Sequence, residues 1–127
     1  MDLPPDFREL LEELALDAVE FLLIGGYAVA FHGRPRATKD IDIFLEGSPA
    51  DLGQPPLRVD FLRSIEGVES AGLFARAVDA GVDGIPTMVI SLDDLIVNKR
   101  AAARPQDTLD ADFLERVRSA SSKEPPL

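Results

Sequence analysis

Apolar residues recur along this chain with two different periods, and the changes of period mark out its elements. Phe7, Leu10, Leu11, Leu14 and Ala18 follow the spacing of one helix face, while Glu9, Glu12, Glu13 and Asp17 occupy the opposite face. This predicts an amphipathic helix over 5–18, with Pro5 in the first turn, where a missing amide hydrogen costs nothing. Phe21-Leu22-Leu23-Ile24 is a short unbroken apolar run and reads as a buried strand. The Ala-rich stretch from Gly26 to Phe31 predicts a second helix, stopped at Gly33. Asp40 to Leu45 and Leu57 to Leu62 are two further strand-like runs.

The second half alternates in the same way. Ser64 to Gly67 reads as a turn, and Leu73 to Val78 fits a helix or a strand equally well. Asp79 to Gly84, with two glycines, reads as a turn region before a strand over 85–90. Ser91 followed by Asp94 is a capping box for a helix whose shared face carries Leu92, Leu95, Ile96 and Lys99. Arg104-Pro105 breaks that helix, and Asp107 is placed to cap the last one, with Leu109, Phe113, Leu114 and Val117 as its buried stripe. The segment 123–127 reads as a frayed tail, so residues 1–122 form a single domain.

The strand-like runs carry carboxylates where strands disfavour them. Asp40 and Asp42 are two apart, so on a strand both project from one face while Ile41 and Ile43 face the core. Asp60 sits between Val59 and Phe61 in the next run. Carboxylates held this close repel unless a cation lies between them, and a hard ion such as Mg²⁺ or Mn²⁺ takes oxygen ligands and bridges to phosphates. Gly25-Gly26, at the end of the first strand, forms a turn whose free amides suit phosphate. Arg34, Arg36 and Lys39 cluster just before Asp40.

Leu23-Ile24-Gly25-Gly26, a thirteen-residue spacer after Gly26, and Asp40-Ile41-Asp42 between apolar residues resemble the signature of the DNA polymerase beta-like nucleotidyltransferase superfamily. The stretch 89–107, from Val89 through Lys99-Arg100 to Arg104-Pro105-Gln106-Asp107, is similar to the C-terminal half of its minimal nucleotidyltransferase and AbiEii-like members. The resemblance spans roughly residues 5 to 118 and implies an α/β (α+β) domain, a small mixed β-sheet flanked by helices. It implies transfer of a nucleoside monophosphate from an NTP to an acceptor hydroxyl, with pyrophosphate released. Asp40, Asp42 and Asp60 would be the catalytic and metal-binding residues, and Gly25, Gly26, Arg36, Thr38 and Lys39 would bind the nucleotide. Small members of the group often act in toxin–antitoxin or abortive-infection pairs. The resemblance therefore leaves room for a protein that binds or nucleotidylates a cognate toxin or a tRNA.

This chain departs from the pattern in one place. Asp60 follows Asp42 by only 18 positions, where relatives place a full helix. Ser48-Pro49-Ala50-Asp51 starts a helix by its capping signals, but Gly53 and Pro55-Pro56 end it within about one turn. A shortened covering segment predicts an open sheet face, hence a homodimer or an obligate partner over it, and weakened catalysis. A catalytically weak remnant is the limiting case.

The remaining bulk properties narrow the partners. A net charge of −10 argues against a broad nucleic-acid surface but not against a nucleotide held through a metal. No run reaches the ~20 apolar residues of a membrane span, and the N-terminus lacks signal-peptide features, so a cytoplasmic location is expected. The absence of cysteine excludes disulfides and thiolate metal sites, and the lone His32 reads as a helix-end residue. Lys99 could reach a triphosphate or be an exposed helix residue; Asp110 and Asp112 read as surface charge.

Overall fold

The computed structural model describes residues 3–33, 40–46 and 58–122. Arg34, Arg36, Thr38, Lys39 and the helix start at Ser48–Asp51 lie outside the described residues. Among the described residues, five strands form one mixed sheet: β1 (Phe21–Ile24), β2 (Ile41–Leu45), β3 (Val59–Leu62), β4 (Val78–Val82) and β5 (Ile85–Val89), in the order β3-β2-β1-β5-β4. The described helices flank it: α1 (Pro5–Leu16), α2 (Gly25–Phe31), α3 (Leu73–Arg76), α4 (Leu92–Ala102) and α5 (Pro105–Ser122). This is the α+β architecture expected. None of the described helices is long and apolar enough to cross a membrane.

The centre of the sheet follows from its most apolar strand. All four residues of β1 are buried, as a strand covered on both faces requires. It pairs parallel with β5 on one side and antiparallel with β2 on the other. In β2, Ile41 and Ile43 are fully buried while Asp42 between them stays half-buried, which is the alternation the sequence predicts. The strand begins at Ile41, so Asp40 enters it rather than belonging to it.

Helix α1 buries Phe7, Leu11 and Leu14, and Phe7 meets Tyr27 of α2 edge-on at 5.9 Å. It ends two residues earlier than expected. Ala18 has a left-handed backbone (φ 56°), which turns the chain toward β1 and takes Ala18 out of the buried stripe.

Three other expectations change. The ambiguous 73–78 stretch resolves into one helical turn, α3, followed by the start of β4. The turn expected over 79–84 shrinks to Asp83-Gly84, with φ values of 51° and 79°, a tight hairpin turn. Asp79 to Val82 is strand because that turn folds it antiparallel onto β5, although Asp and Gly are poor strand formers. In α5 the buried face is Asp107, Asp110, Ala111 and Leu114, whereas Leu109 is 54% exposed. The stripe is rotated because the helix packs on α4 through a buried ion cluster as well as through apolar contact.

Candidate functional site

The site is built where β1 passes into α2. Gly25 adopts φ 68°, a left-handed conformation that side chains disfavour. A Cβ there would run into the Asp42 carboxylate. The glycine is thus required both by its backbone angle and by the approach of Asp42 from the neighbouring strand. Gly84 also has positive φ (79°), but a Cβ on it would meet open space. Both substitutions to Ala pay the backbone strain, so comparing them isolates the contact. Gly25→Ala is expected to cost about 1–3 kcal/mol more than Gly84→Ala in urea unfolding. Equal losses would show that Asp42 can step aside freely.

Strand pairing sets the next relation. β2 and β3 run parallel, in a register that places Asp42 beside Asp60. The Ile41 amide donates to the Arg58 carbonyl at 2.9 Å and fixes the start of that pairing. Beyond β3, Asn98 of α4 donates to the Glu66 carbonyl at 3.0 Å, tying the turn after the strand to the helix. Asp60 is therefore positioned by strand pairing, and the Asn98 contact holds the turn that follows its strand.

The pairing changes the chemistry of Asp42. The Asp42 carboxyl is pushed up to about 6 by burial first, then by the charge of Asp60 and a side-chain hydrogen bond with it. Asp40 adds to the rise, and Lys99 opposes it. A raised folded-state value means that the folded protein keeps a proton which the unfolded chain has released. The destabilisation from Asp42 is therefore absent below about 3.8, grows as the pH rises, and is complete above about 6. At face value the shift is worth about 3 kcal/mol; for a partly exposed group, solvent screening reduces it to roughly 1–2 kcal/mol. Without divalent metal, Asp42→Asn should melt with wild type near pH 3.5 and several degrees above it by about pH 7. A constant difference across that range would contradict the Asp42–Asp60 coupling.

Lys99 stands on the opposite wall and is almost fully buried, at 6% exposure. Its ammonium donates to Asp107 Oδ1 at 3.1 Å and lies 3.4 Å from Asp110 Oδ2. Arg104 donates through its backbone N–H (3.3 Å) and through Nε (2.7 Å) to Asp107 Oδ2, which opens α5 with a capping contact. Burial pushes the Asp107 carboxyl up, but the hydrogen bonds from Arg104 and Lys99 outweigh it and hold the group below the usual range. Asp107 is thus a helix-start residue, as expected, and a buried counter-ion as well. Asp110 is not surface charge: it is fully buried beside Lys99. Asp112 is on the surface, where it accepts from Arg100.

These groups line two adjoining cavities. One, of about 550 Å³, is bordered by Gly26, Asp40, Asp42, Asp60, Lys99 and Arg104, with Gln106 at its rim. The other, of about 190 Å³, shares Asp42, Lys99, Arg104 and Asp107, and reaches Gly25, Ser64 and Asn98. The structure thus brings together Gly25, Gly26, Asp40, Asp42 and Asp60; Arg36, Thr38 and Lys39 lie outside the described residues. Sequence reasoning gave Lys99 two readings and missed Arg104, Gln106 and Asp110. The available signal was the spacing 107, 110, 111, 114, a helix face that carries charge. His32 takes no part in the site, since its Nε2–H donates to the Ile90 carbonyl at 2.7 Å.

Among the described residues, no three His, Asp or Glu side chains gather into a ready metal cage. Asp42 and Asp60 form a contacting pair with Asp40 nearby, all oxygen donors. That matches a hard ion which keeps waters and substrate phosphates in its other positions. No protein-family model and no curated protein sequence matches the chain.

Proposed function

We propose that this protein is a metal-dependent nucleotidyltransferase of the polymerase beta-like kind. The observation that carries the reading is the Asp42–Asp60 pair, held in register and facing a cavity whose other wall carries Lys99 and Arg104. Carboxylates on one side and cations on the other suit a triphosphate bound together with a divalent ion.

Asp42 and Asp60 would hold Mg²⁺ or Mn²⁺, with Asp40 beside them. When bound, the ion lowers the pKa of the acceptor hydroxyl and offsets triphosphate charge. Gly25 and Gly26 amides would take phosphate oxygens at the end of β1. Lys99 and Arg104 would face the β- and γ-phosphates and stabilise charge on the departing pyrophosphate. Asp60 would accept the acceptor's proton as its oxygen attacks the α-phosphorus. The bond from that phosphorus to the bridging oxygen of the β-phosphate breaks, and pyrophosphate leaves with the electron pair. The smaller cavity extends the site from Asp42 toward Ser64 and Asn98 and gives it a second polar lobe.

Calorimetry tests the phosphate reading. ATP should bind measurably in the presence of Mg²⁺ and at least about tenfold more weakly without it, and adenosine should bind far more weakly than either. Equal affinities for ATP and adenosine would remove the phosphate role from this cavity.

A further inference from the structure

A second surface lies at the other end of β1. Beside Phe21 opens an apolar cavity of about 790 Å³, lined among others by Val19, Phe74 and Met88, with Glu20 and Asp79 as its acidic members. Its size falls in the range of binding pockets. It is separate from the candidate active site, because Phe21 begins β1 and Gly25 follows its end.

One wall is the edge strand β4. Pro86 has no amide hydrogen, so its pairing with Gly81 is a non-hydrogen-bonded pair of the antiparallel ladder. By alternation, so is the pairing of Asp79 with Met88. Asp79 and Gly81 therefore aim their backbone N–H and C=O groups away from β5, toward the open side of the sheet. Among the described residues, no strand and no turn hydrogen bond uses that edge. Edge strands are usually protected by Lys, Pro or a bulge. β4 has neither Lys nor Pro, its Val78 is 37% exposed, and a Cβ on Gly81 would meet open space.

Charge selects the occupant. Among the described residues no Lys or Arg lines the cavity, and the nearby Arg76 is held by Asp94 at 2.7 Å. A second copy of this chain, with net charge −10, would bring Asp79 and Glu20 against groups of the same sign. We propose that β4 and the adjoining cavity bind an extended basic segment of a partner protein, added as a further strand, with apolar side chains in the cavity and Lys or Arg against Glu20 and Asp79. Backbone pairing supplies affinity and the cavity supplies side-chain selection.

The test uses the full chain and a labelled synthetic peptide of about eight alternating lysine and valine residues, a common strand length, read by fluorescence polarisation. Binding should weaken at least about tenfold for Gly81→Pro, which removes an outward donor, and for Asp79→Lys, which reverses the rim charge. A peptide of equal charge N-methylated at every backbone nitrogen should also lose at least about tenfold. Melting curves confirm that the variants fold, and Asp79→Lys with the methylated peptide decides the matter if Gly81→Pro does not fold. No measurable binding of the peptide, or equal binding of the plain and methylated peptides, would overturn strand addition. A wild-type dimer in light scattering that Asp79→Lys converts to monomer would assign the edge to a second copy instead and overturn the proposal.

Discussion

Asp42→Asn is expected to lower nucleotidyl transfer by about 10³-fold or more, since it removes a carboxylate from the proposed metal pair at a cost of several kcal/mol to the transition state. The same change should leave the fold intact and, without metal, make it more stable above about pH 6, because it removes a buried charge and ends the repulsion with Asp60. A variant that gains stability as it loses activity is the mark of a group retained for chemistry rather than for folding. Mg²⁺ should raise the melting temperature of wild type and barely move that of the variant. If Mg²⁺ stabilised both equally, the ion would be binding elsewhere on this acidic chain. Activity near the wild-type level in Asp42→Asn would sink the assignment of the pair.

Lys99→Met is expected to destabilise the protein by about 3–5 kcal/mol, the usual cost of stranding buried charge. Asp107 and Asp110 are 2% and 0% exposed, and Lys99 touches both. Arg104 keeps a cation on Asp107, whereas the Gln106 amide that donates to Asp110 Oδ1 at 3.0 Å is neutral, so most of the charge imbalance should fall on Asp110. Adding Asp110→Leu to Lys99→Met should therefore recover a large part of the stability while leaving activity low, because the cation facing the cavity is still gone. Urea unfolding of the single and double variants, with two-state behaviour checked, measures the coupling. A loss below about 1 kcal/mol for Lys99→Met would mean that the cluster is wet and that α4 and α5 are held by apolar contacts alone.

Much of this fold is legible locally. Phe21–Ile24 is buried at every position, as its unbroken apolar run foretells, and Asp42 lies between two fully buried isoleucines. The Ser91 cap shows in two residues of sequence and is present, with the Asp94 N–H donating to Ser91 Oγ at 3.1 Å. What failed depends on partners far along the chain. Val78-Asp79-Ala80-Gly81-Val82 has turn-like composition, and becomes strand only because Asp83-Gly84 folds it back on β5. The buried face of α5 could not be read from hydrophobic periodicity, because half of it is aspartate neutralised by a lysine on another helix.

The site divides in the same way. The carboxylates and the glycine turn stand out in sequence because each breaks a local preference. The register that sets Asp42 beside Asp60 is a property of strand pairing and could be read only as an expectation. Lys99 and Arg104 join the candidate site only when α4 and α5 pack together, which brings both cations to the lining of both cavities.

The most direct test follows where each phosphate of the nucleotide goes. The protein is incubated with Mg²⁺, a cell lysate and each NTP labelled in turn at the α- and the γ-phosphate, beside the Asp42→Asn variant. Label is expected on an acceptor from α-labelled NTP only, with the γ-label released as pyrophosphate and no transfer by the variant. Transfer of the γ-label, or α-label transfer that survives Asp42→Asn, would contradict the proposed function.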